Sequence, residues 1–455
     1  MSDQVALSKT VNTLAKKTII QDGQTQTLYP YIGSSTVERH DLAGNTYDMG
    51  TVITENTFDD YGNLTLQKTS TSGDGKTFGS EVTTIYSSAT PTWVASWLIS
   101  LPTKVTQKKT NADLVSLTRT VDYEYDINTG LRTKATTEKG TAALSVVTDY
   151  GYVGNKFGLV SSKKESWKDP LSLTTKSRTS SRTFDSKGRF PSVVTNAAGH
   201  TETSTYDGAT GVRISLKDVN ELTTTWTADN FGRVRSELRP DGNETRFGLP
   251  KKCVGECRGD AALVQIVEYF HGSSRSAVPM LTYSDEVGHV LSQQSWGYKG
   301  DAVYTDQTYD DMGRLKARYQ PAFGTASTTY ISSRLEYDIL NRVIHSYALD
   351  EANKEQLSQS DYNGLTVTLT NPLTYMRIDK RNVIGQIEQV TDALKGVTKF
   401  AYDSFGNLSK TTDPRNNIIT VEYDLLGRKT KLSDPDLGVV QYTPDPLGRV
   451  VAQST

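Results

Sequence analysis

Apolar and polar positions alternate along much of the C-terminal half of the chain. Ile419, Val421 and Tyr423 fall on one face of an extended segment, and Thr420, Glu422 and Asp424 fall on the other. One period earlier the first set is matched by Thr398, Phe400 and Tyr402. A period of two in β-branched and aromatic residues predicts strands. The strands are punctuated at fixed intervals. Gly364, Gly385, Gly406, Gly427 and Gly448 stand 21 residues apart, and seven residues after each of the first four comes Asn371-Pro372, Asp392-Ala393, Asp413-Pro414 or Asp434-Pro435. Gly supplies positive φ, Asp and Asn bond their own backbone, and Pro presets a turn. Two strands of about six residues and two turns of about four fill one period. A lone hairpin is barely stable in water, so successive units must pair edge to edge. The pattern predicts an all-β fold of antiparallel hairpin repeats that coils as a curved ribbon or solenoid.

The turn motif is an aromatic, Asp, two variable residues, Gly, a polar or basic residue and an apolar one. It occurs at Phe184-Asp185 with Gly188, Tyr309-Asp310 with Gly313, Tyr402-Asp403 with Gly406, and Tyr423-Asp424 with Gly427. Tyr337-Asp338 is followed by Asn341 in the glycine slot, and Pro444-Asp445 precedes Gly448 with its tyrosine displaced to Tyr442. Phe58-Asp59 and Tyr125-Asp126 are looser copies. These residues read as structural markers, with the aromatic packing and the aspartate turning the chain. The expected organisation is a lead over residues 1–44 (partly disordered, a short helix to about residue 20, or first strands), degenerate repeats over 45–232, an irregular insertion over 233–287, and a repeat array over 288–455 that is strict from about 364. One helical turn is expected between Leu349 and Leu357.

Composition sharpens this picture in a few places. The 455 residues are 35% hydrophobic, with 24 Tyr against 11 Phe and 5 Trp, which suits half-exposed sheets better than a thick apolar core. A net charge of −2 gives no reason to expect a nucleic-acid partner. The N-terminal stretch lacks a signal-peptide apolar run, and Trp93 to Leu101 is about half of what a membrane-spanning helix needs. The expected location is the cytoplasm, or the exterior or cell surface by a leaderless route.

Thr412 to Pro435, TDPRNNIITVEYDLLGRKTKLSDP, resembles the RHS/YD-repeat family. Trp97-Leu98-Ile99, Val105-Thr106 and Tyr125 to Leu131 are similar to the middle of SpvB/TcB-type toxin-complex proteins. The resemblance implies a strand ribbon forming part of a hollow shell around a toxic polypeptide. Family members act in insecticidal complexes, bacterial competition and adhesion. The expected role is a non-catalytic shell segment, with a toxin cargo and a C-terminal or partner shell segment as partners. The family's plug segment with acidic self-cleavage residues is not matched. The chain reads as a truncated product, an orphan fragment or one piece of a split system.

Other chemistry finds less support. A secreted or surface carbohydrate-binding module using the repeat tyrosines as stacking platforms is the alternative. Turn aspartates spaced along a ribbon edge do not converge as paired catalytic carboxylates must. Gly73 to Thr77 lacks the glycine of a phosphate loop and reads as a flexible surface loop. Cys253 and Cys257 are weak metal candidates, because His271 and His289 stand at spacings foreign to a zinc finger. A local disulfide and free thiols stay open, with more weight on thiols. Arg258-Gly259-Asp260 matches an adhesion tripeptide of low specificity. No cofactor is expected.

Overall fold

The computed structural model describes residues 7–21, 25–42, 48–154, 158–255, 257–324 and 331–455, leaving aside the side chains of 18–27 and 48. Strand accounts for 60% of the chain and helix for 2%. The described residues contain 36 strands of one long antiparallel sheet, each pairing mostly with its neighbours in sequence. A short helical turn at Ser87–Ala89 and a helix at Pro91–Ala95 interrupt it. Where the lead and a helical turn compete in the sequence, the strand prevails. Ser8–Gln21 is a strand paired along its length with Thr25–His40, so residues 8–20 are not helical. Residues 1–6 lie outside the described ones. Val343–Leu349 and Glu355–Asn363 are likewise strands joined by a reversal at Asp350, with no helical turn. Ladder pairing overrides the helix propensity of short segments.

By internal contacts the chain forms two units. The first comprises residues 1–179, 361–369 and 375–455; the second comprises 180–360 and 370–374. In each, successive reversals fall alternately on the two edges of the sheet. One edge carries the aromatic-Asp turns and the other carries the Asp-Pro type. Alternate turns on one edge are two strands apart, about 10 Å.

The two edges are built differently. At most hairpins of the aromatic-Asp edge the register slips by one residue at the aromatic slot, as at Thr308/Tyr309, Glu336/Tyr337, Ala401/Tyr402 and Glu422/Tyr423. Most hairpins of the other edge, such as Gln389–Thr391 with Val397–Lys399, keep strict register, while Leu263–His271 with Ser274–Ser284 and Leu315–Tyr319 with Ile331–Tyr337 slip. A bulge sharpens local twist and bends its strand. Apolar burial is thin: among the described residues only Leu144, Trp167, Ala261, Tyr283, Ala317 and Val440 are buried apolar side chains. The ladders and the turns must therefore carry much of the structure's specificity.

Candidate functional site

Each aromatic-Asp turn is a closed hydrogen-bonded clasp. In the Asp424 turn, Oδ1 accepts the N–H of Leu426 at 2.9 Å and of Arg428 at 3.1 Å, while Arg428 Nε donates to Oδ2. Gly427 N–H closes the reversal onto the Asp424 carbonyl at 2.9 Å, with Gly427 at φ 80°. Asp310 with Arg314, Asp338 with Arg342, and Asp445 with Arg449 repeat the arrangement. Asn407 replaces the guanidinium at Asp403, and His289 replaces it at Asp285. At Asp185 the backbone N–H groups of Arg189 and Phe190 supply the bonds beside Gly188. Asn341, in the glycine slot after Asp338, has φ 62°.

Hydrogen bonding lowers the pKa of several turn carboxylates. At Asp310 the Arg314 backbone N–H, followed by its guanidinium, holds the pKa below the ordinary value against partial burial. At Asp413 the Asn417 amide does the same. At Asp445, burial pushes upward, but the Arg449 guanidinium and backbone N–H outweigh it and the net direction is down. Three or four donors of its own loop favour the ionised form of such a carboxylate and fix its orientation.

The repeat tyrosines form a second regular feature. Tyr402 donates its hydroxyl to the Ile387 carbonyl at 2.8 Å, and Tyr423 to Leu408 at 3.0 Å, both 15 residues back. Tyr309 reaches Val290, and Tyr337 reaches Leu315. Each acceptor lies two residues after the glycine-slot position of the preceding turn, so the hydroxyl ties one repeat to the next. All four tyrosines are half-buried, and Tyr309 also stacks on His289 at 4.5 Å. Their hydroxyls are thus engaged in the sheet.

Within the first unit, the Asp-Pro-type edge of the N-terminal strands meets the aromatic-Asp edge of the C-terminal repeats, turn against turn. Asp41 accepts the Gly364 N–H at 2.8 Å. Lys380 pairs with Asp74 at 2.7 Å and Lys76 with Glu388 at 2.6 Å, while Val383 packs on Gly50 and Gly73. Ser404 donates to the Val115 carbonyl at 2.7 Å, and Asn111 donates to Tyr402 at 3.4 Å. Arg119 lies 3.6 Å over the Phe405 ring and donates to the Leu425 carbonyl. Arg428 reaches Ala143, and Arg449 stands 5.5 Å over Trp167. The hydrogen bonds of this seam join residues 285 to 323 apart in sequence. Nothing in local periodicity signals it.

A cavity of about 640 Å³ opens along the seam, lined among others by Lys76, Phe78, Asn111, Glu388, Tyr402 and Phe405. Its most intimate charges, Lys76 and Glu388, neutralise each other. Gly73 to Thr77, read in sequence as a flexible loop, is instead a tight hairpin: Asp74 and Gly75 both have positive φ, at 50° and 70°. Asp-Gly between alternating stretches is a strong hairpin signal, and it marks this turn.

The remaining candidates resolve as structural. Cys253 and Cys257 form a disulfide with Cα atoms 5.8 Å apart, which replaces the free thiols favoured from sequence. No group of three or more His, Cys, Asp or Glu side chains converges in metal-binding fashion among the described residues. Arg258, the first residue of the tripeptide, is committed to Asp306 at 2.7 Å and lies 4.2 Å over Tyr304. Asp445 is an ordinary clasp residue.

The repeated clasp on a continuous antiparallel sheet defines a class of repeat architecture. Residues 382–418 and 402–438 match the RHS Repeat model, so this part of the chain carries RHS repeats. The fold matches the crystal structure of TcdB2-TccC3 with a TM-score of 0.74 and 13% identity, over 99% of this chain and 31% of that one. TcdB2-TccC3 without its hypervariable C-terminal region matches at 0.74 and 12%, over 99% and 32%. The Photorhabdus luminescens Tc holotoxin pore matches at 0.73 and 13%, over 99% and 32%. The chain thus has the fold of these Tc toxin structures and spans about a third of the length of the chains it matches. No curated protein matches it in sequence. No helix among the described residues is long and apolar enough to cross a membrane.

Proposed function

We propose that this chain is a non-catalytic wall segment of an RHS-type toxin shell, enclosing a toxic polypeptide together with further shell segments. The observation that carries this reading is the likeness of fold to TcdB2-TccC3 over 99% of the chain. Three features of the chain agree with it. The turn aspartates are consumed by their own clasps. The repeat tyrosines bond backward into the sheet. The seam in the first unit joins strands distant in sequence into a continuous surface. A wall needs no reactive centre; it must exclude water and proteases from what lies behind it.

The test is to co-express the chain with the polypeptides encoded beside it, purify the assembly and challenge it with protease. The reading requires a companion polypeptide that stays uncut within the assembly and is digested once denaturant opens the wall. Digestion of every companion at the same rate with and without this chain would refute it. So would turnover of a small substrate by the purified chain that is abolished by substituting a clasp aspartate.

A further inference from the structure

In the second unit the reversals at Asp229, Asp285, Asp310 and Asp338 close alike. Each aspartate N–H bonds a carbonyl four residues ahead, at 2.9 to 3.0 Å. The connection from Asn243–Phe247 to Leu263–His271, on the same edge, puts a cysteine in that role. Cys253 N–H bonds the Ala262 carbonyl at 2.8 Å, nine residues ahead, and the bridge to Cys257 ties the start of this wider loop to its interior. Arg258, directly after the bridge, turns inward. Its Nη2 lies 2.7 Å from Asp306 Oδ2 and its Nε 3.3 Å from Oδ1, with the guanidinium 4.2 Å over Tyr304. Asp306 also accepts the Ser292 hydroxyl. Ser292 is 1% exposed, and the side chains of Arg258 and Asp306 are 15% and 14% exposed. Breaking an ion pair this well covered costs more than breaking a surface pair, because a charge is left behind without its partner.

The bridge itself is open to attack. Both cysteines are half-buried, Val254 after the first is 84% exposed, and Lys251 and Lys252 before it are exposed. Enclosing three residues, it restrains the unfolded chain less than a bridge across a long loop does. Exposed bridges are the ones that thiols reduce readily. We propose that Cys253–Cys257 is a thiol-operated latch on the second unit. Oxidised, it holds Arg258 on Asp306. A thiolate of the glutathione class attacks one sulfur, and the other leaves as a thiolate and takes up a proton. A second thiolate then displaces the cysteine from the mixed disulfide. The bridge gains two electrons and two protons, and two glutathiones leave as one oxidised pair. The freed loop releases Arg258, Asp306 loses its counter-charge, and Leu263–His271 and Ala302–Tyr309 loosen. The inference deepens the wall reading and rests on it for the purpose of the latch: a segment firm where disulfides persist slackens in a reducing compartment.

The test is amide exchange on the full chain, first oxidised and then equilibrated with glutathione at the cytosolic poise, with thiols counted by alkylation and mass spectrometry. Both cysteines should become alkylated. Exchange should rise about tenfold in residues 257–271 and 302–309 and stay unchanged in 402–428. The double variant Cys253→Ser with Cys257→Ser should exchange fast with or without glutathione. Arg258→Gln should speed exchange in 302–309 with the bridge intact. A bridge that stays oxidised, or one that is reduced with exchange unaltered, overturns the proposal. So does a double variant as slow as the oxidised chain. Should the double variant fail to fold, reduction of the folded native chain decides alone. The protease assay above reads enclosure with the bridge oxidised. A failed latch therefore leaves the wall reading standing, and an unprotected companion leaves the latch standing.

Discussion

The turns at Asp310 and Asp424 are nearly the same object. Each has a carboxylate bonding two backbone N–H groups and an arginine four residues on. They differ in what lies beyond. In the first unit, the Asp403 and Asp424 turns meet Val115, Arg119 and Ala143, some 300 residues earlier. In the second unit, Met312 at the tip of the Asp310 turn stands bare. The clasp is therefore a local device that needs nothing outside its five residues. The covering is a separate, non-local layer of organisation, and the two are separable by mutation.

The largest effect should follow from cutting the covering. Arg119→Ala removes a stack on Phe405 and a charged hydrogen bond to Leu425, and it should cost about 3 kcal/mol in chemical denaturation. Amide exchange should accelerate in residues 102–125 and 402–428 and stay unchanged in 223–309. Equal acceleration everywhere would break the distinction between the layers. Cutting a clasp-level tie should act alike in both units. Tyr337→Phe in the second and Tyr402→Phe in the first each remove one hydroxyl donor to a carbonyl, and each should cost about 1 kcal/mol by the same measurement.

A gain of up to about 1 kcal/mol is expected from Thr374→Gly, because the β-branched Thr374 sits at φ 66° in a turn begun by Asn371, where glycine is unstrained. Acid should act on both units through the clasps. Asp229 and Asp310 in the second unit, and Asp413 and Asp445 in the first, have pKa values lowered from 3.8. Their contribution is complete above the unfolded value and is lost as pH falls through the lower folded values. Melting temperature should hold between pH 7 and about 5 and drop below about pH 4. The smallest effect belongs to the bare tip: Met312→Ala should change stability by no more than about 0.5 kcal/mol.

What the sequence shows and what it hides follow the same division. Asp-x-x-Gly-Arg encodes a closed turn within five residues, so the strands and reversals from about residue 364 can be read directly. At Ser8–Gln21 the strand depends on a partner, Thr25–His40, and carries no repeat marker. The reversal at Glu221 hides because a non-glycine residue takes positive φ, 66°, and only Asp218 three residues before signals it. The bulge at each aromatic slot has no composition of its own. The seam leaves no trace in periodicity, since its partners lie hundreds of residues apart. The Cys253–Cys257 bridge depends on how its loop closes, which spacing alone left open.

Zero-length carbodiimide coupling of the native chain, read by mass spectrometry, bears most directly on the seam from which the wall reading draws its continuity. Lys76 should be joined to Glu388 and Lys380 to Asp74, alongside hairpin-local links such as Lys134 to Glu124. Local links with neither long-range pair, under conditions where all six side chains react, would contradict the stacked edges and the continuous surface built on them.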